Sequence, residues 1–389
     1  MVATSPPDKP IGVIDAIAYG FELVTSRLDL AVWPLLLDLV LWVGPQVSIE
    51  PLVMRVLEAT PVVAAGMEGV SEAQVREVWQ AFGATYDVMA ALAVGPLGAP
   101  TMRFGAFGMP FGIGSVQVVP GGVVSKAGWL PAIYVDSPLM LLGLLALFSA
   151  LGLLVGVLYF VGIARVVARA WLGEMDGAAV LGSGPLRKRL RPSPGVSDRA
   201  APTLPPPGMH LLSSGLKIVL FALGALGLLT AIFVPTFMAV SLLALSSPVL
   251  ASLSVVLCIS LVIWLGLYLV FVPHGITING LGVLRAVWGS FRMVQWNLFG
   301  VLGLYALYYG ISVGLGFIWA LPEPDSWLYG VAIVVHAFIA TGLTTATFVF
   351  YADRHRWWTA NRQWMLDQLS EQRRRTDYAR RLGGRDNDK

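Results

Sequence analysis

The chain has little cysteine and little charge, and both shortages limit what it can be. Its 389 residues contain one cysteine, Cys258, so an internal disulfide is excluded. Charged residues make up 13% and apolar residues 56% of the sequence, whereas soluble globular proteins carry about 25% charged residues. The mean hydropathy is +0.73. A chain of this composition must place most of its surface in lipid.

Motifs for common enzymatic and cofactor chemistry are also missing. The sequence has no Walker A motif, no H-E-x-x-H motif, no paired cysteines and no cluster of carboxylates. GIGS at 112–115 lacks the third glycine of a dinucleotide loop. We therefore expect neither a cofactor nor a metal. The pI near 9.0 reflects where the basic residues lie and does not indicate nucleic-acid binding.

Six apolar segments are each long enough to supply the roughly 20 residues that a helix needs to cross a bilayer. Backbone groups in lipid must be hydrogen-bonded within their own segment. We therefore predict an all-α, polytopic integral membrane protein with six transmembrane helices. The predicted spans lie near 28–47, 137–163, 215–245, 249–272, 298–320 and 327–351.

The basic residues predict the orientation of these spans. Of 26 Lys and Arg, 22 lie in segments on the same side as the N-terminus, and four lie in the 47–136 loop. The positive-inside rule therefore places both termini in the cytoplasm, in a protein of the plasma (inner) membrane. The opening MVATSPPDKP is polar and is followed by Asp15 and Glu22, so no cleaved signal peptide is expected.

A proline-rich stretch divides the chain. Residues 185–207 contain seven prolines and predict an extended cytoplasmic linker. It separates a two-span half, 1–184, from a four-span half, 208–352, which is followed by a basic cytoplasmic tail, 353–389. We expect anionic lipid or a partner protein to contact this tail, where a helix lying on the inner leaflet is predicted.

The long loop 48–136 predicts a small extracytoplasmic cap made of a helix and a β-hairpin. SEAQ at 71–74 is a capping box that opens a helix. VQVVPGGVVSK at 116–126 has the pattern of two short strands around a turn.

Two stretches repeat each other at an offset of 270 residues. They are GVIDAIAYGFELVTSRLDLA at 12–31 and GVLRAVWGSFRMVQWNLFGV at 282–301, with six of twenty positions identical. Each has an apolar face with helical spacing and runs into a predicted span. We expect two amphipathic helices in the cytoplasmic headgroup layer, and either duplication or chance similarity explains the likeness.

Charges at matching positions of the repeat have opposite signs. Asp15 corresponds to Arg285, and Glu22 corresponds to Arg292. If the two amphipathic helices were neighbours, these residues would form two acid–base pairs. We call this predicted arrangement the interfacial charge clasp, and it would join the two halves of the chain. The alternative is that each charge faces water or lipid headgroups.

Asp38 is the only carboxylate deep inside a predicted span. A charge at the bilayer centre costs about 3 kcal/mol, so this side chain needs a partner or water. His336 of the sixth span is the expected partner, followed by the threonines of that span, among them Thr344. The group is interpreted either as a structural contact between the halves or as a proton or solute pathway.

GISVG at 310–314 matches the G-x-S-x-G nucleophile motif, but it lies inside a predicted span instead of a strand-to-helix turn. Gly310 and Gly314 are interpreted as a helix-packing face. Rhomboid proteases place an intramembrane serine opposite a histidine, and Ser312 and His336 are predicted at similar depths. An intramembrane serine hydrolase is therefore kept as an alternative function.

The run LRAVWGSFRMVQWNLFGVLGLYALYYGI resembles the repeated element of prokaryotic glycerophosphodiester phosphodiesterase membrane domains. The resemblance covers about 30 residues, and it implies a multi-pass membrane domain without a phosphodiesterase of its own. The function that we expect is therefore non-enzymatic: a scaffold, a lipid-environment organiser or a subunit of a larger membrane complex. A transporter with an Asp38/His336 site is the other alternative.

Overall fold

The computed structural model describes residues 9–59, 72–93, 97–102, 130–172, 207–319, 321–323 and 325–383. Most of these residues are α-helical. The helices are α1 (Val13–Ser26), α2 (Val32–Val43), α3 (Glu50–Ala59), α4 (Glu72–Thr85), α5 (Pro138–Leu172), α6 (Pro207–Ser246), α7 (Pro248–Leu269), α8 (Val272–Asn279), α9 (Val283–Trp296), α10 (Leu298–Trp319) and α11 (Trp327–Gly383).

Short elements connect some of these helices. The 3₁₀ turns are Leu28–Ala31 and Val88–Ala93, and the strands are β1 (Val47–Ser48) and β2 (Ile133–Tyr134). The two strands pair in parallel, with Val47 opposite Ile133. This pairing connects the segment after α2 to the segment before α5.

Five helical stretches are long and apolar enough to cross a membrane. They lie in α5, in α6, in α7 with α8, in α10 and in α11. This finding is consistent with the predicted all-α polytopic class. The first predicted span, 28–47, differs, because it holds a 3₁₀ turn followed by the 12-residue α2. At 1.5 Å per residue α2 is about 18 Å long, short of the roughly 30 Å hydrocarbon core.

Helix α1 lies lengthwise against α11, which differs from the predicted position in the headgroup layer. At its start the Ile11 N–H donates to Asp353 Oδ2 at 2.9 Å, and Arg354 Nη1 donates to the Ile11 carbonyl at 2.8 Å. Further along, a Cβ added at Gly20 would lie only 2.6 Å from the Gly342 carbonyl oxygen. The apolar face of α1 is therefore buried by protein.

Helix α2 also packs along α11, and its last turn lies near Trp327, the first residue of α11. The Trp42 and Tyr329 rings are 5.6 Å apart between centroids. From Ile11 to Trp42 the chain thus passes from the level of Asp353 to the level of Tyr329. These two residues of α11 are 24 positions apart, which corresponds to about 36 Å along the helix.

The described part of the 48–136 loop contains helices α3 and α4 and packs against the long helices. Helix α4 begins at Glu72, next to the predicted capping serine. Residues 97–102 pack against the middle of α5, where a Cβ added at Gly156 would lie 2.8 Å from Gly98 Cα. The predicted hairpin at 116–126 and residues 185–206 of the predicted linker lie outside the described ranges.

The predicted tail helix is continuous with the last span, since α11 runs from Trp327 to Gly383 without a break. A helix lying in the headgroup layer would have to turn at the membrane boundary. The described tail therefore continues in the direction of the span, in contrast to the predicted position on the leaflet.

Candidate functional site

The structure brings Asp38 of α2 and His336 of α11 into direct contact. His336 Nδ1 and Asp38 Oδ2 are 2.9 Å apart, in a hydrogen bond between residues that are 298 positions apart. Both residues are buried, at 3% exposure for Asp38 and 5% for His336. The contact joins the first and the last apolar segments of the chain.

The second carboxylate oxygen of Asp38 is also occupied. The Met102 N–H donates to Asp38 Oδ1 at 2.9 Å, and Met102 itself is buried. This donor comes from the 97–102 segment, which approaches α5 closely because Gly156 carries no side chain. One carboxylate thus ties together α2, α11 and an irregular segment that packs against the middle of α5. Within a bilayer, irregular backbone is tolerated only where protein or a cavity surrounds it.

The threonines of α11 do not take part in the Asp38 contact. Thr344 Oγ1 donates to the Ala340 carbonyl at 2.8 Å, and Thr341 Oγ1 donates to the Ala337 carbonyl at 2.6 Å. Each hydroxyl therefore donates its proton within its own helix. Thr344, expected as a secondary partner, is therefore a buried residue two turns away along α11 from His336.

Ser312 and His336 do not form a dyad. The Ser312 hydroxyl donates to the Tyr308 carbonyl of its own helix at 2.7 Å, while His336 Nδ1 is occupied by Asp38. Helix α1 inserts Ile17 and Phe21 into the cluster that includes Tyr308 of α10 and Leu343 of α11. The contact between α10 and α11 beside Ser312 is thus apolar and involves Ala340 and Leu343, one to two turns from His336.

The glycines of GISVG also differ from their predicted role. A Cβ added at Gly310 or at Gly314 would meet nothing within 4 Å. The close helix approach occurs instead at Gly20 and Gly342. A Cβ on Gly342 would lie 2.5 Å from the Phe21 ring. Gly20 and Gly342 thus have, at the α1–α11 interface, the packing role that was predicted for Gly310 and Gly314.

The predicted charge clasp is absent among the residues that the structure describes. Asp15 Oδ2 accepts from the Gly12 N–H at 3.2 Å, capping its own helix. Glu22 forms no ion pair with a basic residue in the described part of the chain. Arg292 lies over the Trp358 ring, with Cζ 5.2 Å from the centroid. The reason is that α1 packs on α11, whereas α9 packs on α7 and α8.

The two copies of the repeat nevertheless share their local structure. Helices α1 and α9 both have 14 residues, and both start after an extended glycine, Gly12 or Gly282. The residue after each helix donates its N–H to the carbonyl of Val24 or Val294. Equivalent positions are buried in both: Ala16 and Ala286, Gly20 and Ser290, Leu23 and Met293, Val24 and Val294.

Two polar contacts of α11 were missed by sequence reasoning. His274 Nε2 and Thr347 Oγ1 are 2.8 Å apart and buried, and Asp353 and Arg354 bind both backbone groups of Ile11. A histidine directly after an apolar run, as in FVPHG, is the only sequence signal for the first contact. The second has none, because Asp353 and Arg354 have the composition of an ordinary span end.

Comparison with protein-family models, with curated proteins and with solved structures finds no match for this chain. The resemblance to phosphodiesterase membrane domains therefore stays a prediction.

Proposed function

We propose that this chain is a non-enzymatic, multi-pass membrane protein that acts as a scaffold, a lipid-environment organiser or a subunit of a larger complex. The observation that carries the proposal is the Asp38–His336–Met102 contact. Both side chains are almost fully buried, and both carboxylate oxygens have a hydrogen-bond partner. A buried polar contact in which both carboxylate oxygens are hydrogen-bonded holds these elements together and leaves no free carboxylate oxygen for a substrate.

The proposed architecture has six crossings, with the first made of two short helices, α1 and α2. Its support is the succession of contacts along α11, from Ile11 beside Asp353 to Trp42 beside Tyr329. The proposed orientation, with both termini in the cytoplasm of the plasma membrane, rests on the distribution of basic residues. The contact of Ile11 with Asp353 supports a common side for residue 11 and the start of the tail.

The test is purification in a mild detergent with identification of co-purifying proteins and lipids. We expect a reproducible set of partners that wild type and Ser312→Ala retain equally. A fluorophosphonate probe that labels wild type but not Ser312→Ala would contradict the proposal, because it requires a reactive serine.

A transporter is the second candidate, and one observation favours it. The first crossing is discontinuous at residues 27–31, and the ionisable pair follows this break within about two helical turns. Discontinuous helices near the bilayer midplane form the substrate and ion sites of many transporters. In such a protein, His336 Nε2, which is buried and has no hydrogen-bond partner among the described residues, would accept a proton.

Proton movement separates the two candidates. The protein is reconstituted in liposomes that enclose a pH-sensitive dye, and a pH gradient is applied to wild type, Asp38→Asn and His336→Gln. The scaffold proposal expects equal, leak-level rates in all three. Faster acidification by wild type than by both variants would favour the transporter.

A further inference from the structure

We propose that the cavity between α9 and α11 binds the phosphate headgroup of an anionic phospholipid. The cavity has a volume of about 400 Å³, within the range of about 300–1,000 Å³ typical of ligand sites. The inference deepens the proposed function and rests on it, since it names a lipid class for a protein proposed to organise its lipid environment. The residues that line it are Leu284, Arg285, Trp288, Gly289, Arg292, Met293, Trp296, Asn297, His355 and Trp358.

The cavity lies at the boundary of the apolar spans. Its lining residues Trp296 and Asn297 directly precede α10, and Trp358 lies at the end of the apolar part of α11. Gly300 of α10 is next to Phe350 and Arg354, which fixes this end of α10 at the same level. Tryptophan is enriched at the headgroup level of membranes, and three tryptophans line this cavity.

The charge of the cavity fits an anion. Arg285 and Arg292 line it, and Arg362 lies over the Trp358 ring, with Cζ 5.6 Å from the centroid. Helices α7, α8, α9 and α10 contain no Asp or Glu. Asp353, two residues before His355 on α11, is bonded to Arg354 and Ile11. A guanidinium binds phosphate with two parallel hydrogen bonds, so two arginines at one cavity suit a phosphodiester.

The rim of the cavity indicates a lipid as the source of the phosphate. Leu284 is 85% exposed and Trp296 is 66% exposed, and Phe299, just beyond the rim, is 89% exposed. Such side chains on a membrane protein contact acyl chains. A headgroup between the arginines would therefore have its glycerol and acyl parts against these apolar side chains. Basic pockets between transmembrane helices bind anionic headgroups in this way.

The experiment measures quenching of tryptophan fluorescence by brominated lipids in detergent-solubilised, full-length protein. Dibromo-phosphatidylglycerol is titrated against dibromo-phosphatidylcholine, with wild type, Arg285→Gln, Arg292→Gln and the double variant. The control is Arg169→Gln, an exposed arginine at the end of α5 that does not line the cavity. We expect saturable quenching by dibromo-phosphatidylglycerol in wild type and in the control. Each cavity variant should bind about tenfold more weakly.

Three results would overturn the inference. They are equal affinity for the two lipids, unchanged affinity in the cavity variants, and displacement of the lipid by millimolar inorganic phosphate, which would indicate a site for soluble anions. Size-exclusion elution monitors folding. If the double variant does not fold, Arg285→Gln decides alone, because no described contact depends on that exposed side chain. A failed lipid titration with unchanged partner co-purification would remove the lipid site and leave the proposed scaffold in place.

Discussion

At the scale of single residues, the molecule depends on a few buried polar contacts along α11. Asp38–His336, His274–Thr347 and the binding of Ile11 by Asp353 and Arg354 lie in succession along this helix. Each joins α11 to a different part of the chain. Because apolar surface gains little by leaving lipid for protein, such hydrogen bonds and close packing must specify which helices meet.

Removing one member of the Asp38–His336 pair should destabilise the protein more than removing both. Asp38→Ala leaves the Met102 N–H and the imidazole unsatisfied, at a cost of about 3–5 kcal/mol for a buried pair. We expect Asp38→Ala and His336→Ala each to lower the thermal midpoint in detergent, and the double variant to lose less than the sum of the two. Ser312→Ala is the control, since that hydroxyl bonds only within its own helix. Additive losses would mean that the contact does not form.

The sequence was most informative about this pair and least informative about its setting. A lone carboxylate in an apolar run needs a partner, and His336 was the natural candidate by depth. The Met102 N–H could not be anticipated, because the sequence LGAPTM at 97–102 does not indicate which side chain a backbone N–H will meet. Likewise, the charges of α1 and α9 suggested an ion pair, but pairing requires adjacent helices, and helix neighbours are set by close packing that the charges do not encode.

At the scale of helices, the decisive contact is that of α1 with α11. The sequence predicted an amphipathic helix within residues 12–31, and α1 (Val13–Ser26) lies inside that stretch. It placed α1 in the headgroup layer, because a half-polar helix has the pattern of an interfacial one. The close approach at Gly20 reverses that conclusion, since backbone contact at 2.6 Å from an added Cβ is found only between packed helices.

Alanine substitutions at two glycines should therefore have opposite effects. In Gly20→Ala the new Cβ would meet the Gly342 carbonyl oxygen and the Ala346 nitrogen, both at 2.6 Å. Overpacking against backbone costs about 1–3 kcal/mol, so the thermal midpoint should fall. Gly314→Ala is the matched control. Its Cβ meets nothing within 4 Å, and alanine favours a helix by about 0.5–1 kcal/mol. An equal fall in both variants would place α1 elsewhere.

Helix α9 shows how the same repeat serves a different place in the fold. Where α1 has Gly20, α9 has Ser290, whose hydroxyl donates to the Tyr268 carbonyl at 2.6 Å and accepts from the Phe271 N–H at 3.2 Å. These backbone groups lie at the break between α7 and α8. Gly20 permits close approach to α11, which is continuous. Ser290 instead provides hydrogen bonds to backbone groups that are exposed where α7 ends and α8 begins.

Ser290→Ala should consequently destabilise the protein through the α7–α8 break. The change leaves a buried N–H and a partly buried carbonyl without this partner, at a cost of about 1–3 kcal/mol. Hydrogen exchange followed by mass spectrometry should show faster exchange of peptides covering Phe271. Ser260→Ala on α7 is the control, because its hydroxyl donates only to the Val256 carbonyl of its own helix. Unchanged exchange near Phe271 would contradict the proposed role.

At the scale of the whole molecule, the number of crossings depends on α1 and α2. Five long spans alone would leave residue 9 on the same side of the membrane as residue 58, because both would precede α5 without an intervening crossing. If α1 and α2 together cross beside α11, the two residues lie on opposite sides. Length and hydropathy could not decide whether α1 and α2 cross together, since neither helix alone is long enough to span a bilayer.

Cysteine accessibility distinguishes the two arrangements. Lys9→Cys, Glu58→Cys and Gln295→Cys are made in a Cys258→Ser background; all three positions are exposed. In intact cells an impermeant thiol reagent should label position 58 and spare positions 9 and 295, and permeabilised cells should show labelling at all three. Labelling of positions 9 and 58 together, with 295 protected, would mean that α1 and α2 do not cross. Labelling of 9 and 295 with 58 protected would keep the crossing and invert the orientation drawn from the basic residues.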